Sequence, residues 1–158
     1  YFTVHPTDAP TQLWRSDGTA AGTALVRDFA DVDFILPRQD GAFVFADDGV
    51  SGSQPWFTDG TAAGTAMVDK VRPSVNSSGL LGEDSSYAVV GDWLYFTAAS
   101  PASSSERNLY RTQGASTGVI LVSDGFRPIP SFDDYPGSLA AIGDEDGVKN
   151  RAQTASPR

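Results

Sequence analysis

The 158-residue chain contains no cysteine, one histidine and one methionine. Without cysteine there are no disulfides and no thiolate metal sites. With only His5, a zinc site built on a histidine pair is excluded, and His5 itself reads as a solvated residue of the loop His5-Pro6-Thr7-Asp8-Ala9-Pro10 rather than a general base. Basic residues are scarce: eleven Lys and Arg stand against twenty Asp and Glu, a net charge of −9. Phosphate backbones are bound by clustered Lys and Arg, so nucleic acid is excluded as a partner, and an anionic membrane surface with it. No apolar run is long enough for a membrane span or a signal peptide. What is abundant is glycine, sixteen residues, and aromatic side chains: nine Phe, five Tyr and three Trp.

Glycine and aromatic residues recur in a fixed pattern. Asp-Gly-Thr-Ala-Ala-Gly-Thr-Ala occupies 17–24 and again 59–66, a spacing of 42 residues. A period near 40 marks an array of identical supersecondary units. Leu13-Trp14-Arg15-Ser16 precedes the first copy and Pro55-Trp56-Phe57-Thr58 the second; Leu25-Val26 and Met67-Val68 follow them. A third, degraded copy runs from Leu109 to Asp124, after a longer connector, and keeps Gly114 and Gly118.

Each copy reads as a β-hairpin: an aromatic strand, a polar turn with two glycines, an aliphatic strand. The turn residues are Asp17, Gly18, Thr19, Gly22 and Thr23 in the first copy, and Asp59, Gly60, Thr61, Gly64 and Thr65 in the second. Asp17 and Asp59 are expected to accept hydrogen bonds from backbone N–H groups two residues on. Gly18, Gly22, Gly60 and Gly64 are expected to supply positive φ. A residue that recurs in each unit serves the unit, so these positions are expected to be structural rather than catalytic.

Upstream of the hairpins lie further short strands, Phe34–Leu36 with Ala42–Ala46 and Ser86–Val90 with Trp93–Ala98, and then Ser138–Ile142. Tyr1-Phe2-Thr3 matches the end of a strand in a truncated first unit. Four short antiparallel strands per repeat is the pattern of a β-propeller blade, and stacked blades share a continuous core. The expected fold is therefore all-β, an unclosed propeller fragment of about three four-stranded blades. Its parts are a partial blade over 1–29, full blades over 30–71 and 72–126, the start of a fourth over 127–146, and a disordered or unrelated tail over 147–158. Phe43, Phe45, Trp56, Trp93, Tyr95 and Tyr110 are the expected inter-blade core. An unclosed array exposes both end faces and is expected to self-associate.

The stretch Leu13–Phe29 resembles a bacterial repeat family with a Glu-Leu-Trp-x-x-Asp-Gly-Thr-x-x-Gly-Thr signature. Gln12 stands where that family has Glu, and Gln54-Pro55 replaces Glu-Leu in the second copy. The resemblance covers residues 1–146. It implies propellers of large secreted or surface proteins, hence an extracellular or cell-surface location and a scaffold or binding role, adhesive in character, toward a protein or glycan. The remaining blades would belong to the same longer chain. No catalytic residue comes with the resemblance.

Two other chemistries compete with this reading. Asp47-Asp48-Gly49 and Asp144-Glu145-Asp146-Gly147 are acidic turns whose oxygens suit Ca²⁺, so Asp47, Asp48, Asp144 and Asp146 are the candidate metal ligands of a calcium-stabilised repeat. Neither run has the twelve-residue helix-loop-helix spacing, and Asp with Gly is equally the composition of a plain turn; no other cofactor is expected. A glycosidase or lyase needs convergent carboxylates, which would have to lie in blades outside this sequence. Asn76-Ser77-Ser78 matches a glycosylation sequon, accidental in a bacterial chain. The Ser-rich loop 99–106 is the longest hairpin connection and the expected variable binding loop.

Overall fold

The computed structural model describes residues 1–71, 86–100, 106–126, 140–141 and 148–149. The described residues are all-β, with no helix. Three antiparallel sheets follow one another along the chain, each a meander in which every strand pairs with its neighbour in sequence, and none closes into a barrel. The first sheet holds β1 (Phe2–Val4), β2 (Thr11–Arg15) and β3 (Ala24–Phe29). The second holds β4 (Asp31–Arg38), β5 (Gly41–Asp47), β6 (Ser53–Thr58) and β7 (Ala66–Met67). The third holds β8 (Tyr87–Val90), β9 (Trp93–Ala99), β10 (Arg107–Thr112) and β11 (Ile120–Phe126).

Register shows the sheets to be copies of one another. Trp14 pairs with Leu25, Trp56 with Met67 and Tyr110 with Leu121. A bulge follows at Val26 in the first sheet and at Val122 in the third. The last two strands of each meander are therefore the hairpins that the repeats encode. The link from one meander to the next is short where it is described: Ala30 alone separates β3 from β4, and its N–H donates to the Asp47 carbonyl at 2.7 Å.

The chain divides into two compact units, Tyr1–Leu80 with Gln113–Val119, and Leu81–Thr112 with Ile120–Arg158. In the first, Leu13, Val26 and Phe29 of one sheet pack with Val44, Ala46 and Trp56 of the next in a single apolar cluster. β5 is buried from Gly41 to Ala46, as expected of a strand covered on both faces. The Phe29 and Trp56 rings meet edge to face at 5.1 Å between centroids, a favoured aromatic geometry. In the second unit Tyr95 and Leu109 form a smaller cluster, with Trp93, Ala88 and Val90 packed against it. Of the six aromatic residues assigned to the core, Phe43, Phe45, Trp56, Tyr95 and Tyr110 are buried, and Trp93 is half-buried.

The second unit also contains a two-stranded pairing of β12 (Ala140–Ala141) with β13 (Val148–Lys149). Val148 and Lys149, which fall in the stretch expected as a tail, pair antiparallel with Ala140–Ala141. Ladder pairing is satisfied by backbone groups, so the change to a polar, basic composition does not prevent it.

Candidate functional site

The duplicated turns link β2 to β3 and β6 to β7. Their hydrogen bonds repeat one for one. Asp17 Oδ1 accepts from the Thr19 N–H at 2.9 Å and the Thr19 hydroxyl at 2.8 Å; Asp59 Oδ1 accepts from the Thr61 N–H at 2.8 Å and hydroxyl at 2.7 Å. The same threonine hydroxyls accept from Gly22 N at 3.0 Å and Gly64 N at 2.9 Å. The Thr23 and Thr65 hydroxyls each donate to the carbonyl of that threonine at 2.6 Å. At the neck, Ser16 and Thr23 hydroxyls meet at 2.7 Å, as do those of Thr58 and Thr65.

Both carboxylates are thus held by donors of their own loop. Those bonds, first from the threonine hydroxyl and then from its amide, hold the Asp17 and Asp59 carboxyls below the usual carboxylate range. Hydrogen bonding to the charged form favours it.

The glycines serve two different purposes. Gly18 and Gly60 adopt φ of 91° and 90°, which disfavours any side chain. Gly22 and Gly64 do not have positive φ, which corrects the expectation for this pair. Their requirement is space. A Cβ on Gly22 would lie 2.0 Å from Asp17 Oδ1, and one on Gly64 would lie 2.2 Å from the Asp59 carboxylate. The second glycine of the motif is the floor on which the aspartate rests.

The third turn, with Gln113 for the aspartate and Ala115 for the threonine, rearranges. Thr117 takes over: its hydroxyl accepts from Gln113 N at 3.0 Å and donates to the Gly114 carbonyl at 3.0 Å. With no carboxylate to accommodate, Gly118 moves to φ 63°, and Gly114 adopts 127°.

The remaining candidates are dispersed. Asp47 Oδ1 accepts from Gly49 N at 2.7 Å; Asp48 Oδ1 accepts from Val50 N at 2.9 Å and Ser51 N at 2.6 Å. Partial burial pushes the Asp48 carboxyl up, but these amide bonds outweigh it and the net direction is down. Asp144 and Asp146 lie outside the described residues, as do the sequon at Asn76 and residues 101–105 of the Ser-rich loop. Among the described residues no three His, Asp or Glu side chains gather as they would around a metal ion. His5 Nδ1 lies 3.1 Å from the Thr11 hydroxyl.

One carboxyl runs the other way. Asp33 receives the Ser53 hydroxyl, yet burial, together with the nearby charges of Asp31 and Asp47, raises its pKa. Asp31 and Asp47 are directly paired across β4 and β5.

The sequence reading did not find the arginines. Arg27 lies over the Trp56 ring at 4.4 Å and the Phe29 ring at 5.4 Å, and its NH1 reaches the Thr65 carbonyl at 3.4 Å. Arg38 lies over Phe57 at 4.5 Å and Phe43 at 5.2 Å, pairs with Asp40 through two N–H groups, and donates to the Gln113 carbonyl at 2.8 Å. Stacking and hydrogen bonding together suit the planar guanidinium. Both arginines bind the backbone of the next repeat's turn. The signal available in the sequence, a basic residue beside an aromatic strand, does not say which turn it will meet.

Comparison with protein-family models, with curated proteins and with solved structures gives no significant match.

Proposed function

We propose that this chain is a noncatalytic scaffold and binding module, built of β-propeller-type blades in a larger extracellular bacterial protein. The observation that carries this reading is how the duplicated Asp turns use their polar groups. Each carboxylate is occupied by its own threonine and rests on its own glycine, leaving a rigid loop rather than a reactive group. Catalysis needs chemically distinct groups that converge, and the most distinctive polar residues here recur once per repeat instead. Three consecutive meanders of matching register, with an apolar cluster shared by the first two, support the propeller part of the reading. The resemblance to the repeat family of secreted and surface proteins supports the location, and an unknown protein or glycan is the ligand class. Fold-level analogy carries no specific ligand.

The test is a glycan array probed with the purified chain, run beside a hydrolysis assay on the same glycans. Retention of a subset of glycans without turnover is the expected result. Release of sugar, lost when a carboxylate pair of the chain is changed to Asn, would overturn the noncatalytic reading. Failure to retain any glycan would reduce the proposal to a scaffold or a protein binder.

A further inference from the structure

Asp–Gly pairs occur six times in the chain, at 17–18, 40–41, 48–49, 59–60, 124–125 and 146–147. Asp–Gly is the dipeptide most prone to aspartate isomerisation. The glycine amide nitrogen attacks Cγ of the aspartate and gives up its proton. A succinimide ring closes as the carboxyl oxygen leaves in a molecule of water. Water then opens the ring at either carbonyl. One opening returns aspartate; the other leaves isoaspartate, whose main chain runs through Cβ. Glycine favours the attack because it has no side chain to crowd the ring. Protonation matters too: the carboxyl must carry a proton for water to leave, and the amide must lose one.

Both duplicated turns hold these groups in the opposite states. Gly18 N–H donates to Ser16 Oγ, and Gly60 N–H donates to Thr58 Oγ1, each at 3.0 Å. The nucleophile thus keeps its proton, aimed at the residue before the aspartate. The carboxylate is drawn the other way, onto the amide and hydroxyl of Thr19 or Thr61. Donors on the charged form keep it charged, and these same donors lower the pKa of Asp17 and Asp59. The loop at Asp48–Gly49, which has no threonine after its glycine, arrives at the same arrangement. Gly49 N donates to Asp47 Oδ1 at 2.7 Å, and Asp48 Oδ1 accepts from Val50 N and Ser51 N. At Asp40–Gly41, Arg38 takes the carboxylate through two N–H groups, and Gly41 is buried in β5.

We infer that each duplicated turn is also a chemical guard: the hydroxyl before its aspartate and the threonine after its first glycine hold Asp17 and Asp59 against isomerisation. Ser16 and Thr58 keep the glycine amide protonated and turned away from Cγ. Thr19 and Thr61 keep the carboxylate ionised and turned forward along the chain. Isoaspartate at either position would add a carbon to the main chain of the turn and draw the carboxylate off Gly22 or Gly64. The role is distinct from holding the turn's shape, and it does not depend on what the chain binds.

The test follows isoaspartate in the whole chain during long incubation at neutral pH. Peptide mapping with fragmentation at N–Cα bonds tells it from aspartate. Unfolded in guanidinium, the chain is expected to isomerise Asp17 and Asp59 at like rates, and folded, far more slowly. Thr19→Val keeps the side-chain shape and loses the hydroxyl. It is expected to raise the rate at Asp17 roughly ten- to a hundredfold, the factor that a hydrogen bond to a charged group is worth, with Asp59 of the same molecule unchanged. Thr19→Ser is expected to restore the original rate. Ser16→Ala frees the Gly18 N–H and is expected to raise the rate without touching the carboxylate. Ser16 and Thr19 are exposed, so these variants are expected to stay folded during the incubation, which circular dichroism checks. Three results would each overturn the inference: Asp17 isomerising as fast folded as unfolded, folded Thr19→Val and Ser16→Ala matching the unsubstituted chain, or Thr19→Ser reacting as fast as Thr19→Val.

Discussion

Asp17 and Gly22 form one working part, and so do Asp59 and Gly64. A methyl on the glycine displaces the carboxylate, which is the same loss as removing it. Asp17→Ala and Gly22→Ala are therefore expected to lower the melting temperature by similar amounts, and the double variant by little more than either alone; full additivity in a calorimetric double-mutant cycle would refute the coupling. Acid acts on the same part. Asp17 and Asp59 have folded pKa values held below the ordinary carboxylate value by Thr19 and Thr61. Their contribution is complete above the unfolded value, about 3.9, and is lost as pH falls through the depressed folded values. Asp33, raised by burial, has the opposite sign: its contribution is complete below the ordinary value and lost as pH rises through the raised one. Asn keeps the acceptor without the titration, so Asp17→Asn with Asp59→Asn is expected to flatten the fall in melting temperature between about pH 5 and about pH 2. An unchanged acid limb would sink this. At this scale the sequence exposed the motif but not the reason for its second glycine. Spacing says that a glycine recurs; only the position of the neighbouring carboxylate says whether torsion or space demands it.

Strands were more legible than side-chain purposes. Aromatic and aliphatic runs mark β5, β9 and the hairpins because burial on one or both faces leaves a compositional trace. β7 is only Ala66–Met67, shorter than the aliphatic run around it, because strand length is set by the partner as much as by composition. β12 lies within the apolar run Ser138–Ile142, whereas its partner Val148–Lys149 has no such run to announce it. Nor could the arginines be assigned, since their partners come from the following repeat. The packing between the first two sheets centres on Trp56, which is 4% exposed, meets Phe29 edge to face and carries Arg27 on its ring. Trp56→Ala is expected to cost about 3–5 kcal/mol, read from denaturant unfolding. The half-buried Trp14, its counterpart in the first sheet, stacks on the exposed Phe2, so Trp14→Ala is expected to cost less. Equal losses would contradict the placement of the core.

At the scale of the whole chain, the compact units do not coincide with the sequence repeats. Gln113–Val119, the turn of the third hairpin, belongs with Tyr1–Leu80, while the strands on either side of it belong to the other unit. Arg38 and Asp69 hold that turn by its backbone, and Phe57 lies against Gly114. In hydrogen exchange, cooperative units open together and their amides share one opening free energy. The amide of Val119, which donates to Asp69, is therefore expected to exchange at the pace of the second sheet and not at the pace of Arg111 or Leu121 a few residues away; the reverse order would refute it. Under thermal stress the third hairpin would open at its strands first, with its loop, Gln113–Val119, still clasped by the second sheet. An array built this way opens link by link, and each loosened link keeps a foothold from which to re-form.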